Sequence, residues 1–272
     1  MNPDLLFWLS LVLKMAVTAG FVVGAAMVAE RLGATIGAIV ATLPVSAGPA
    51  YVFVGLDHDS AFISASAIGS IAAHASTAVF SLAYVVLAQR AATLVSVGGA
   101  VAVWFVVAFL LRSVQWAFLP VVAVNLALFA ICIALTNRYR HVQMPPIVRK
   151  WYDIPVRAAL VSCLVAAVVT LSGHVGPTVT GLLAVFPIVM TSLMLIFQPR
   201  VGGPATAALI ANTMWGLVGF SACLFTVHLA TVPLGTWGGL ALALGVSVVW
   251  NIVLYGWRRR ALARRARLRP HL

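Results

Sequence analysis

Long apolar runs follow one another along this chain with only short polar gaps between them. Nine runs are long enough to cross a membrane as helices, roughly 8–29, 35–56, 61–88, 91–111, 116–136, 154–172, 177–198, 204–230 and 234–256. About 20 apolar residues span the hydrocarbon as a helix, which satisfies every backbone group within itself. The one long connection, 137–153, carries Met144-Pro145-Pro146 at its centre and divides the chain. The pattern predicts an all-α, polytopic transmembrane bundle. Residues 1–136 form a first membrane repeat plus a linker helix, 137–153 a basic loop, 154–257 a second membrane repeat and 258–272 a basic tail.

The halves repeat each other. Gly33, Thr35, Ala41 and Pro44 return without a gap as Gly176, Thr178, Ala184 and Pro187, and at the same spacing Trp8 matches Trp151 and Lys14 matches Arg157. Internal duplication in a polytopic protein is a mark of transporters. With span five (Trp116–Thr136) between the halves, spans one to four match six to nine in opposite orientation, an inverted repeat. A re-entrant fifth segment would make the repeats parallel instead.

Composition agrees with a membrane chain. Hydrophobic residues make up 63% and charged residues 8%, too little charge to cover a soluble domain. The formal net charge of +12 raises nucleic acid as a partner, but the placement of the charge argues against it. Seven arginines crowd between Arg258 and Arg269, and Arg138, Arg140, Arg149 and Lys150 share one loop. Both groups flank apolar spans, where positive charge faces the cytoplasm and its anionic lipid. Arg31, Arg90 and Arg200 fall on that same side, leaving Arg112 and the turn Asp57-His58-Asp59 outside. The expectation is a bacterial cytoplasmic-membrane protein with the N-terminus outside and the C-terminus inside. Met1-Asn2-Pro3-Asp4 has no basic run before the first span, so that span is expected to be retained.

Few residues carry candidate chemistry. Pro44 and Pro187 fall about ten residues into spans two and seven, and Pro49 weakens the former further. A proline there removes a backbone hydrogen bond and breaks the helix, and the freed groups can hold a substrate or be satisfied by neighbouring helices. Lys14 and Arg157 lie within spans, where a basic group is costly and usually functional, although long side chains also snorkel to the interface. No carboxylate within the spans is expected to neutralise them, which suggests an anionic ligand. In span three Ser66, Ser70, His74, Thr77 and Ser81 share one helix face. His74 there suits a proton carrier, and the hydroxyls suit helix packing. Asn212, like Asn125 and Asn251, is a lone polar group within a span and a candidate for substrate contact or for an interhelical bond. Gly20–Gly24 and Gly33–Gly37 read as packing seams. Cys132, Cys163 and Cys223 show neither metal-ligand nor redox spacing. Catalytic constellations are absent, so the chain is read as no enzyme, without cofactor or metal.

The second half, about Arg157 to Tyr255, resembles the small GlpM-type inner-membrane proteins of bacteria. The likeness rests on Arg157 before Ala158-Ala159-Leu160, on Gly181-Leu182 and Phe186-Pro187, and on Thr213-Met214-Trp215. The first half keeps Lys14, Gly37, Leu43-Pro44 and Ser70 but has Ile71-Ala72 in place of Met214-Trp215. Such proteins are about one half as long, so the resemblance implies a fused double version. It implies neither a substrate nor site residues. The reading is a transporter-like protein moving a small anionic solute, with Lys14, Pro44, His74, Arg157, Pro187 and Asn212 at the substrate. The alternatives are translocation of a lipid or polyprenyl phosphate, and a non-transporting scaffold of an envelope-building complex.

Overall fold

The computed structural model describes residues 3–31, 47–142 and 150–267, and every regular element among them is helical. In chain order these are α1 (Pro3–Arg31), α2 (Ala47–Asp57), α3 (Ser60–Leu87), α4 (Thr93–Arg112), α5 (Phe118–Thr136), α6 (Asp153–Ala184), α7 (Ile188–Val201) and α8 (Gly203–Arg267). Among the described residues six stretches are long and apolar enough to cross a membrane, one of them running from α6 through α7. The chain is a helical membrane protein.

Local sequence explains where the helices start and bend. Asp59 caps α3 by accepting the Phe62 amide at 2.8 Å. Pro49, Pro120, Pro155 and Pro204 all fall in first turns, where no carbonyl one turn back loses its donor. Pro49 thus falls in the first turn of α2 as described. Helix α6 kinks at Gly176 (φ 73°, ψ 174°) and α8 at Gly235 (φ 74°, ψ 163°), a backbone region open essentially to glycine alone. The predicted run 177–198 is thus two pieces, the end of α6 and then α7, parted at Val185–Pro187.

Helix α3 is the axis of the bundle and packs against α4, α5, α6 and α8. Its small residues (Ala67, Gly69, Ala73, Ala75, Ala78) let neighbours approach, and His74 and Phe80 fill what remains. Helices α3 and α8 run antiparallel. The Ser64 hydroxyl donates to the His228 carbonyl at 2.8 Å, His74 Nε2 donates to the Leu217 carbonyl at 3.0 Å, and Gly203 lies against the Ala88 carbonyl. Helices α1 and α6 pair in the same sense. Ser162 donates to the Met15 carbonyl at 3.1 Å, while Ser10 and Leu11 face Val169 and Thr170.

One end of the bundle therefore holds Asp57, Arg112, Gly176 and Gly235, and the other holds Arg90, Arg138, Asp153 and Arg200. Outward faces of α1, α4, α5 and the second segment of α8 expose large apolar side chains, such as Val12, Phe109, Leu119 and Val253. A surface of this kind suits lipid and not water. Trp8 and Trp237 sit towards the first end and Trp151 and Trp257 towards the second, where amphipathic rings meet the membrane interfaces.

Candidate functional site

The break between α6 and α7 lies against the centre of the bundle. Pro187 is buried, and its carbonyl accepts both the Thr191 amide and the Thr191 hydroxyl at 2.9 Å. The Ile188 amide donates to the Phe186 carbonyl at 2.7 Å, and the Phe186 ring stands edge-on to Trp104 at 5.0 Å. Trp104 in turn donates to the Thr77 hydroxyl at 3.2 Å. The backbone groups at this break thus find partners in the protein itself. Pro44 lies outside the described residues.

Just before the break α6 crosses α3 with almost no clearance. A methyl group built on Gly69 would overlap the Thr178 carbonyl, and one on Gly181 the Ser66 carbonyl. Across this contact the Ser70 hydroxyl donates to the Gly181 carbonyl at 2.7 Å, and it meets the Tyr51 hydroxyl of α2 at 2.6 Å. Tyr51, Ser70 and Gly181 form a buried polar chain that ties three helices together. The packing seam is therefore at Gly69 and Gly181. Among the described residues a side chain at Gly20 or Gly24 would meet nothing within 4 Å, and Gly33 and Gly37 lie outside those residues.

The hydroxyl stripe of α3 turns towards protein. Besides Ser70, Thr77 donates to Ala73 and Ser81 to Thr77 one turn back, and among the described residues Ser66 Oγ alone of the stripe has no partner. His74 is enclosed, with Phe129 and Phe220 each 4.8 Å away ring to ring. Its bond to a carbonyl fixes the proton on Nε2.

The remaining candidates sit near the two ends. Lys14 Nζ is 2.7 Å from Asp57 Oδ2, so a carboxylate does meet this lysine. Sequence reading placed Asp57 in a solvated turn, whereas it is the last residue of α2 and comes back against α1. Around this pair a polar cavity of about 360 Å³ includes His58, whose Nε2 is 3.1 Å from the Ser172 hydroxyl. Arg157 lies near the opposite end, half-buried and one helical turn beyond Asp153. Asp153 holds Arg200 in a two-point fork, Nη1 to Oδ2 at 2.8 Å and Nη2 to Oδ1 at 2.7 Å. Lys150 and then Arg200 hold the adjacent Tyr152 phenol below its ordinary pKa by stabilising the phenolate. Asn212 binds the turn after α5: its Nδ2 donates to the Arg140 carbonyl at 3.2 Å, and its Oδ1 accepts from Arg140 Nε at 3.1 Å.

The structure thus distributes these residues over three levels. His74 and Pro187 are central, Lys14 lies towards one end, and Arg157 and Asn212 towards the other. Tyr51, Asp57 and Arg200 are contributors that hydropathy did not mark. Tyr51 carried no signal beyond being a hydroxyl in an apolar run. No family model, curated protein or solved structure matches the chain.

Proposed function

We infer that the protein is a transporter-like membrane protein of two inverted repeats that moves a small anionic solute across a bacterial cytoplasmic membrane. The observation that carries this reading is the crossing of α3 and α8 at His74 and Leu217. The offset that takes Lys14 to Arg157 takes His74 to Leu217. Two antiparallel helices that cross at equivalent residues imply a two-fold axis between the halves, in the plane of the membrane. The same offset carries Ser60 to Gly203 and Thr93 to Thr236, and it matches the extended residues Asp59 and Ala92 with Gly202 and Gly235. Counting α6 and α8 as two segments each, and the second segment of α6 with α7 as one broken span, the described residues give nine, with α5 as the linker.

Inverted repeats support transport because exchanging the conformations of the halves converts an outward-open form into an inward-open one. The excess of basic over acidic residues, 17 against 5, favours an anion. Arg90, Arg138, Arg140 and Arg200 favour their end as the cytoplasmic one, with the C-terminus. The likeness to GlpM-type proteins belongs to the same proposal. A second reading, passage of a lipid or polyprenyl phosphate, draws on an apolar groove of about 260 Å³ between α1, α2 and α8, lined by Phe21, Val52 and Leu244.

Reconstitution tests both. Proteoliposomes should accumulate one class of labelled anion above empty vesicles in a counterflow assay. Scrambling of labelled lipid without anion counterflow would select the second reading, and neither activity would return the protein to the scaffold alternative.

A further inference from the structure

Arg112 lines a cavity beside the central helix. Helix α4 has 20 residues and α3 has 28, and they run antiparallel from the end where Leu87 touches Gly99. Trp104 meets Thr77 halfway along. The shorter helix therefore stops early, and Arg112 comes level with Gly69 and Ala72, beside which it lines a cavity. Gly69 is nine residues into α3, about 14 Å from its start at 1.5 Å per residue. Arg112 is thus exposed at the end of α4, beside a stretch of α3 about a third of the way along that helix.

The cavity measures about 370 Å³, within the range of roughly 300–1,000 Å³ usual for small-molecule sites. One wall is polar, from Arg112, Gln115 and Thr178, and the other is apolar, from Ile68, Ala72 and Leu182. The turn between α4 and α5 is pinned, since Trp116 Nε1 donates to the Leu111 carbonyl at 2.6 Å and Ser113 Oγ to the Leu110 carbonyl at 2.7 Å. Lys14 and Arg200 each have a carboxylate at 2.7 Å, whereas among the described residues Arg112 makes no ion pair. An arginine that lines a cavity is open to an anion, and its planar fork matches an oxyanion.

We propose that this cavity is a binding site for an oxyanion carrying a short apolar body, a phosphate monoester or carboxylate, with Arg112 as its counter-charge and Ile68, Ala72 and Leu182 against the apolar part. The proposal deepens the anion reading by locating where the anion rests. It relies on that reading for the ligand's passage and not for its binding, so the test reads binding.

Full-length protein in phosphatidylcholine nanodiscs is titrated with hexyl phosphate and with inorganic phosphate, and unfolding is followed by tryptophan fluorescence. Hexyl phosphate should raise Tm in a saturable manner, and inorganic phosphate should need a higher concentration because it leaves the apolar wall unused. Arg112→Gln should weaken hexyl phosphate binding by about tenfold or more, the worth of a charge-assisted bond. If R112Q does not fold, Arg112→Lys, which keeps the charge without the fork, should weaken it severalfold. In nanodiscs containing phosphatidylglycerol, loss of the hexyl phosphate response together with a higher starting Tm in the wild type alone would assign the same site to a lipid headgroup. No shift with hexyl phosphate in either lipid, or equal shifts in the wild type and both variants, overturns the site. Binding without counterflow would instead overturn transport and keep the site.

Discussion

Adding a methyl group at Gly181 should destabilise the protein, while the same change eight residues earlier in α6, at Gly173, should not. At Gly181 the new carbon would overlap the Ser66 carbonyl oxygen and lie 2.7 Å from its carbon and 3.0 Å from the Ser70 amide nitrogen. All three are helix backbone, so no side chain can swing away, and α6 must move back from α3. Overpacking of this kind costs about 1–3 kcal/mol. The retreat also stretches the 2.7 Å bond from Ser70 to the Gly181 carbonyl, worth a further ~1 kcal/mol. Replacing glycine in a helix returns up to about 1 kcal/mol, so the net loss is about 1–3 kcal/mol. At Gly173 nothing lies within 4 Å, and only the helix gain of up to about 1 kcal/mol remains. Reversible unfolding in mixed micelles with increasing SDS, followed by tryptophan fluorescence, measures both variants against the wild type. Gly181→Ala should unfold at a lower SDS fraction and Gly173→Ala at an equal or higher one. Coincident transitions for the two variants would refute the close crossing of α6 over α3.

Three further outcomes follow from the same structure. His74→Leu keeps the bulk between Phe129 and Phe220 but strips the buried Leu217 carbonyl of its donor, so it should cost about 1–3 kcal/mol in the same unfolding assay, and an unchanged midpoint would show that this bond contributes nothing. Lys14→Met should change stability by no more than about 1 kcal/mol, because its partner Asp57 keeps 43% of its side-chain surface open to solvent and screening; a loss of several times that would mean a drier pair than this geometry describes. In a cysteine-free background, Ser113→Cys and Asn137→Cys should react with a membrane-impermeant maleimide from opposite faces of the membrane, and labelling of both from one face would refute the course of α4 and α5.

How far the sequence could be read depended on whether a feature was local. Helix starts are local, because prolines and cap residues act within one turn: Asp59 binds the amide of Phe62, and Pro204 lies in the first turn of α8. The chain break at Pro187 was legible for the same reason. The spacing that relates Lys14 to Arg157 also relates the starts of α3 and α8, since Gly203 answers Ser60. Contacts between helices were a different matter. Gly20–Gly24 and Gly69…Gly181 are equally plausible seams in one dimension, yet among the described residues only the latter pair faces another backbone. Asp57 looked solvated because its neighbours His58 and Asp59 are polar, while its contact with Lys14 depends on how far α2 reaches along α1.

Arg112 marks the limit most clearly. Hydropathy places a basic residue at the end of an apolar run and assigns it to the membrane surface, which presumes that every helix ends at the same depth. That holds for helices of equal length packed in register. Here a helix of 20 residues, itself about 30 Å long, is matched to one of 28 at only one end. The difference is absorbed at the other end, where the chain turns early through Ser113–Ala117 and leaves Arg112 beside Gly69. Nearby, α6 restarts at Gly176 and lays Thr178 against Gly69, so two interruptions meet beside one stretch of α3. Interrupted backbone within a membrane protein is tolerated where it is buried or lines a cavity, and this stretch of α3 shows both. The second half offers a comparison within the same molecule. There the segment answering α4 runs on past Arg112's counterpart, Tyr255, to Trp257, which meets the Trp215 ring at 6.1 Å. The half that stops short carries the arginine and the cavity, and the half that runs on carries an aromatic contact. On the proposed duplication the halves are two similar frames, and a difference in where one helix ends leaves a cavity beside only one of the two counterparts, Arg112 and Tyr255.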